Sequence, residues 1–193
     1  MGFGICVIGY IALVTDIIGG GVIAYPLLAY GLKKASVLNV NFFYAAVAAL
    51  FCVPHSALVF FSFIGVIDEN TVFYQASYCL FYAIYLLFHI FVFLGAAQVY
   101  RAGNAEKYAS RAMSRLYMTA VYVVWAMVLL LFSSIGNAAI YGVLQIYKYI
   151  VLFFNALFFY DCYARITSRE QQSRDKAAAE KAEQKKSKGA NRP

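Results

Sequence analysis

Four ionisable side chains, Asp16, His55, His89 and Lys148, stand inside long apolar runs of this 193-residue chain. A charged group at the centre of a bilayer helix costs about 2.5–3.5 kcal/mol on insertion scales, so each is expected to face a bundle interior and find a partner there. With a rise of about 1.5 Å per residue and the topology argued below, Asp16, His55 and Lys148 come to one depth, and His89 lies several residues farther in. Three chemistries are open to such a cluster. An Asp16–Lys148 ion pair, with His55 hydrogen-bonded nearby, would fix helix register. The same groups would serve an ion or proton path, or they would meet a bound lipid or neighbouring subunit.

The neighbours of Lys148 strengthen the case for an interior face. Tyr141, Gln145, Lys148 and Asn155 share a sector of roughly 80° on a helix turning 100° per residue. Tyr74, Tyr78, Tyr82, Tyr85 and His89 form a second such sector in another run. Both sectors are expected to look toward one bundle centre or a partner subunit.

Catalysis lacks parts. Two histidines at different depths, with no serine–histidine–acid grouping, complete neither a haem site nor an intramembrane hydrolase. Cys6, Cys52, Cys79 and Cys162 are far apart and form no CxxC pair, so they read as small polarisable core residues. No catalytic, cofactor or metal site is expected.

The elements that must hold these residues are long and apolar. Hydrophobic residues make up 63% of the chain and charged ones 13%, against a usual charged fraction of about 25%. Of its 25 acidic and basic residues, 14 fall after Tyr160. The fold class is therefore all-α, a polytopic transmembrane bundle over 1–166 with a charged tail over 167–193. Five spans are expected, at about 3–32, 42–67, 72–100, 116–135 and 138–160. The first has no basic leading segment and no small-residue cleavage site, so it is not expected to be a removable leader.

Charge sets the topology. With five spans, every Lys and Arg except Lys148 falls on one side, as the positive-inside rule requires. That places the N-terminus outside and the C-terminus inside. The net charge of +7 comes from loops and tail and gives no reason to expect nucleic acid. Lys107, Arg111 and Arg115 repeat every four residues, and on a helix they form one basic stripe for anionic lipid headgroups. The tail, rich in Ala, Glu and Lys, reads as a solvated basic helix without an apolar stripe.

The first run contains Gly19-Gly20-Gly21 and Pro26, which an inert anchor avoids. Glycines allow close helix approach, and broken helices build the substrate sites of secondary transporters. The stretch Gly20-Gly21-Val22-Ile23-Ala24-Tyr25-Pro26 resembles the opening-helix motif of the amino acid/auxin permeases. The resemblance covers only this short stretch, and the chain has about half their number of helices.

Small size, the missing catalytic set and the aromatic load (17 Phe and 17 Tyr) point to a non-catalytic accessory or scaffolding subunit of a larger membrane complex. Its partners would be membrane lipids and other membrane subunits. The alternative is a small transporter or channel subunit using the broken first helix with Asp16 and Lys148.

Overall fold

A computed structural model describes residues 2–68, 71–132 and 136–167. The tail helix expected beyond Thr167 lies outside these residues. Among the described residues there are six α-helices: α1 (Phe3–Ala12), α2 (Gly21–Ala35), α3 (Val40–Phe63), α4 (Val72–Ala102), α5 (Glu106–Leu131) and α6 (Ala138–Cys162). A 3₁₀ segment over Leu13–Ile18 joins α1 to α2, and a π-helical turn over Tyr163–Thr167 follows α6. Four helices, α3 to α6, are long and apolar enough to cross a membrane.

The first apolar run is not one span. It is a hairpin of two short helices. Gly19 ends the 3₁₀ segment with φ +80°, a left-handed conformation that glycine adopts without steric cost. The Gly20 N–H bonds the Thr15 carbonyl at 3.0 Å and the Gly19 N–H bonds the Asp16 carbonyl at 2.9 Å. This is the paired closure of a Schellman motif. The chain then turns back along itself. Gly9 of α1 lies against Leu28 and Ala24 of α2, and Gly31 lies against Cys6. A Cβ on Gly31 would sit 2.6 Å from the Cys6 sulfur, so the small residues are what let the two helices touch.

The break sits at Gly19 and Gly20. Gly21 already begins α2, and Pro26 lies inside that helix, so Pro26 does not belong to the break as the sequence reading had it. At about 1.5 Å per α residue and 2.0 Å per 3₁₀ residue, Phe3–Ile18 extends roughly 27 Å and α2 roughly 22 Å. Both fall short of a hydrocarbon core of about 30 Å.

Capping chemistry sets the other boundaries. The side chains of Asn39, Thr71 and Asn137 accept backbone N–H bonds at the starts of α3, α4 and α6. Asn104, with φ 54°, closes α4 by a second Schellman pair, Ala105 N–H to Tyr100 and Asn104 N–H to Arg101. The stretch 101–115 between the expected third and fourth spans holds this turn and the first turns of α5. The fourth helix begins at Glu106, ten residues before the expected 116.

Each helix packs on its successor, and α1 closes the ring against α6. The seam between first and last helices is aromatic. Phe3 lies 5.5 Å from Phe42 and 6.2 Å from Phe159, and Tyr10 stacks on Phe159 at 5.0 Å. Phe42 opens α3 and Phe159 nears the end of α6, so α1 starts where α6 finishes. The expected parallel course of the first and last spans does not hold for α1 and α6: the hairpin adds one reversal that a single span would not have. Lys33, Lys34, Arg101, Lys107, Arg111, Arg115 and Arg165 still share one end, called the basic end below.

Tags at the N- and C-termini should therefore be reached from one side of a membrane, and a tag at the Gly136 turn from the other. Termini on opposite sides would mean that the first run crosses once. Gly19→Val forces a β-branched residue into the left-handed region and its Cβ into Phe60. It should lower stability by about 1–3 kcal/mol or more, seen as a lower melting temperature in detergent.

Candidate functional site

Asp16 sits in the 3₁₀ segment just before the reversal. Its carboxylate accepts a hydrogen bond from Ser56 Oγ of α3 at 3.3 Å and lies against Gly21. Gly21 is the first residue of α2, so the carboxylate faces the positive end of that helix dipole. Lys148 Nζ, from α6, lies 3.8 Å from Asp16 Oδ2. The two side chains are 15% and 19% exposed. Two residues 132 positions apart thus meet across the bundle.

His55 is buried on α3 beside the same space. Its ring stacks on Phe81 at 4.3 Å and meets Tyr78 edge-on at 4.3 Å. Ser77 Oγ donates its one hydrogen to the Tyr74 carbonyl at 2.6 Å. The His55 Nδ1–H must therefore donate to Ser77 Oγ, at 3.1 Å. The same logic fixes His89. Its Nδ1–H donates to the Tyr85 carbonyl at 2.8 Å, so Nε2 accepts from the Tyr10 hydroxyl at 2.9 Å.

These groups border a cavity of about 270 Å³. It runs from Phe63 and Tyr74, at the end of the bundle away from the basic residues, down to Tyr85 and Leu152. Asp16, His55, Gln145 and Lys148 line it, together with six tyrosines: Tyr25, Tyr74, Tyr78, Tyr82, Tyr85 and Tyr122. Below Tyr85 the interior is a fully buried aromatic layer of Tyr10, Phe88, His89, Phe93 and Phe159. Tyr85 and His89 rings are 4.2 Å apart, and His89 stacks on Phe93 at 5.8 Å. Toward the basic end the cavity stops at this aromatic floor.

The sequence-predicted cluster divides here. Asp16, His55, Gln145 and Lys148 share the cavity. Asn155 does not line it: two turns beyond Lys148 on α6, it donates to Thr119 Oγ1 of α5 at 3.3 Å, and its Oδ1 has no partner. Tyr141 turns to the Leu129 carbonyl at 3.4 Å. The tyrosine sector of α4 lines the cavity as far as Tyr85, and His89 anchors the floor. Sequence reasoning missed Tyr25 and Tyr122, whose apolar neighbours give no sign that their hydroxyls turn inward. Among the described residues no three His, Cys, Asp or Glu side chains gather as a metal site would need.

The basic stripe lies on the first turns of α5. Lys107 is exposed. Arg111 pairs with Asp161 of α6 at 3.5 Å, and Arg115 lies over the Phe154 ring at 4.4 Å. Arg111 and Arg165 both approach the Tyr108 ring, at 5.1 and 4.3 Å. Planar guanidinium groups on rings at a helix end suit the headgroup level of a membrane.

A partly buried ion pair stands between exposed pairs, worth about 0–1 kcal/mol, and fully buried ones, whose breaking costs about 3–5 kcal/mol. Asp16→Asn and Lys148→Met should each lower stability by about 1–3 kcal/mol. The double mutant should regain much of the loss, because no lone charge is left in the bundle. Strictly additive losses in thermal or denaturant melts would show that the two residues do not interact.

Comparison with protein-family models, curated proteins and solved structures finds no match.

Proposed function

We propose that this is a multi-pass membrane protein that takes up a small polar solute into the tyrosine-lined cavity, as a small transporter or channel subunit. The observation that carries this reading is the Asp16–Lys148 pair, set beside a helix break inside a cavity that ends on an aromatic floor. Ionisable groups at membrane depth mark substrate or ion pathways by default. Unwound backbone is tolerated there where it is buried in protein or lines a cavity. The floor of Tyr10, Phe88 and Phe159 is what a one-sided state of such a pathway needs. The reading involves no chemical step.

The same geometry supports one orientation. Four full spans and a re-entrant hairpin put both termini and every described Lys and Arg except Lys148 on the cytoplasmic side, as the positive-inside rule favours. The cavity then opens outward. Lys107, Arg111 and Arg115 meet anionic headgroups on the inner face.

The accessory-subunit reading draws support from a different surface. Tyr117, Val121 and Val124 of α5 are more than half exposed and border a shallow apolar groove with Trp125. A partner helix would cover that face without using the cavity. Purification in mild detergent separates the two readings: a defined larger complex favours the subunit, and an isolated chain that moves solute favours the transporter.

The cavity itself is tested by thiol labelling in a Cys79→Ser background. Cysteine at Tyr74 or Tyr78 should react with a membrane-impermeant reagent added on the side opposite the termini. Cysteine at Phe88, beneath the floor, should not. Equal reaction at all three, or none, would remove the one-sided cavity.

A further inference from the structure

The cavity contains one carboxylate and one ammonium, and its remaining lining side chains are neutral or polar. A lone anion would compensate Lys148 and leave Asp16 without its partner. A lone cation would do the reverse. A net-neutral solute with separated charges satisfies both.

Three polar groups are left under-used. The Asp16–Lys148 separation of 3.8 Å is beyond direct hydrogen-bond length. Asp16 Oδ1 takes the Ser56 hydroxyl, which leaves Oδ2 toward Lys148. Tyr25 lines the cavity, and its hydroxyl is buried and has no hydrogen-bond partner. An unpaired buried hydroxyl is costly, and natural cores rarely keep one without a reason. Tyr78, Tyr82 and Tyr122 line the walls, and aromatic rings attract an ammonium group.

We infer that the site takes a small zwitterion, its ammonium end at Asp16 among the tyrosine rings and its carboxylate end at Lys148, with the Tyr25 hydroxyl as a further hydrogen-bond partner. This rests on the solute-binding reading above and names the charge type of the solute. The zwitterion replaces the contact between the two side chains, so each protein charge exchanges one partner for another and none is left alone.

Three molecules of nearly one shape test this. Glycine betaine is the zwitterion, choline the cation, and 3,3-dimethylbutyrate the anion in which carbon replaces nitrogen. Titration calorimetry on the full chain in nanodiscs should find betaine bound more tightly than either of the others. Lys148→Met should shift the preference to choline, and Asp16→Asn to dimethylbutyrate. Tyr25→Phe keeps the shape and removes an unsatisfied hydroxyl, so it should fold as well as the parent. It should weaken betaine binding about tenfold, the scale of a hydrogen bond to a charged group. Tightest binding of choline or dimethylbutyrate to the parent would overturn the zwitterion, with the cavity reading intact. Binding of none of the three, with the thiol pattern as described, would likewise overturn the zwitterion alone. Loss of the thiol pattern removes the cavity reading itself. Unchanged betaine affinity in Tyr25→Phe would overturn the role given to that hydroxyl.

Discussion

The bundle depends on how one chain reversal is satisfied inside a lipid-facing fold. Backbone that leaves a helix at membrane depth must find internal partners, because the hydrocarbon offers none. At Gly19 and Gly20 two backbone bonds close the end of the 3₁₀ segment, and the Asp16 carboxylate lies against Gly21 at the start of α2. That carboxylate would be an isolated charge without Ser56 and Lys148. The break, the ion pair and the contact between α6 and the hairpin are therefore one arrangement. Removing any part leaves another without a partner.

The reversal also decides the shape of the interior. A straight first helix would run the full depth of the bundle with a continuous side-chain surface. The hairpin instead puts its tip beside Phe60, close to the end of α3. It leaves room there between α2, α3, α4 and α6. Toward the basic end the same hairpin sends Phe3 and Tyr10 into the seam with Phe42 and Phe159, where the space is filled. An open upper half and a packed lower half follow from where the turn falls.

Much of this was legible in the sequence. The four long helices appear as apolar runs of the right length, and Asn39, Thr71 and Asn137 mark three of their starts. The Asp16–Lys148 meeting was legible even though the assumed topology was not. Asp16 sits at the hairpin's tip, and the tip reaches the level of Lys148, so the two meet although α1 runs antiparallel to α6 and not parallel to it as expected. The hairpin was hidden for an electrostatic reason. Residues 1–15 carry no Lys or Arg, so the charge rule gives no penalty for placing that end on either side. The triple glycine was seen, but a left-handed Gly19 that reverses the chain and a glycine that only permits close packing look alike in sequence. Asn155 was grouped with Lys148 because they share a helical sector. That grouping omitted the two turns of rise between them, which carry Asn155 below the level where the cavity ends.

An ion pair that served only to fix helix register would be expected close and dry. The fold holds it differently. Lys148 stays 3.8 Å from Asp16, both keep partial exposure to the cavity, and the polar wall beside them contains a hydroxyl with no partner. In a low-dielectric interior each of these departures costs free energy, since Coulomb attraction falls with distance and unpaired polar groups lose solvation without compensation. Elsewhere the same bundle satisfies its polar groups closely: His89 has both ring nitrogens bonded within 2.9 Å, and Ser77 bridges His55 to α4 backbone. Asn155 Oδ1, below the cavity, is also unpartnered, so the loose pairing of Asp16, Lys148 and Tyr25 supports the proposed solute site by lying together in one cavity and not by being confined to it.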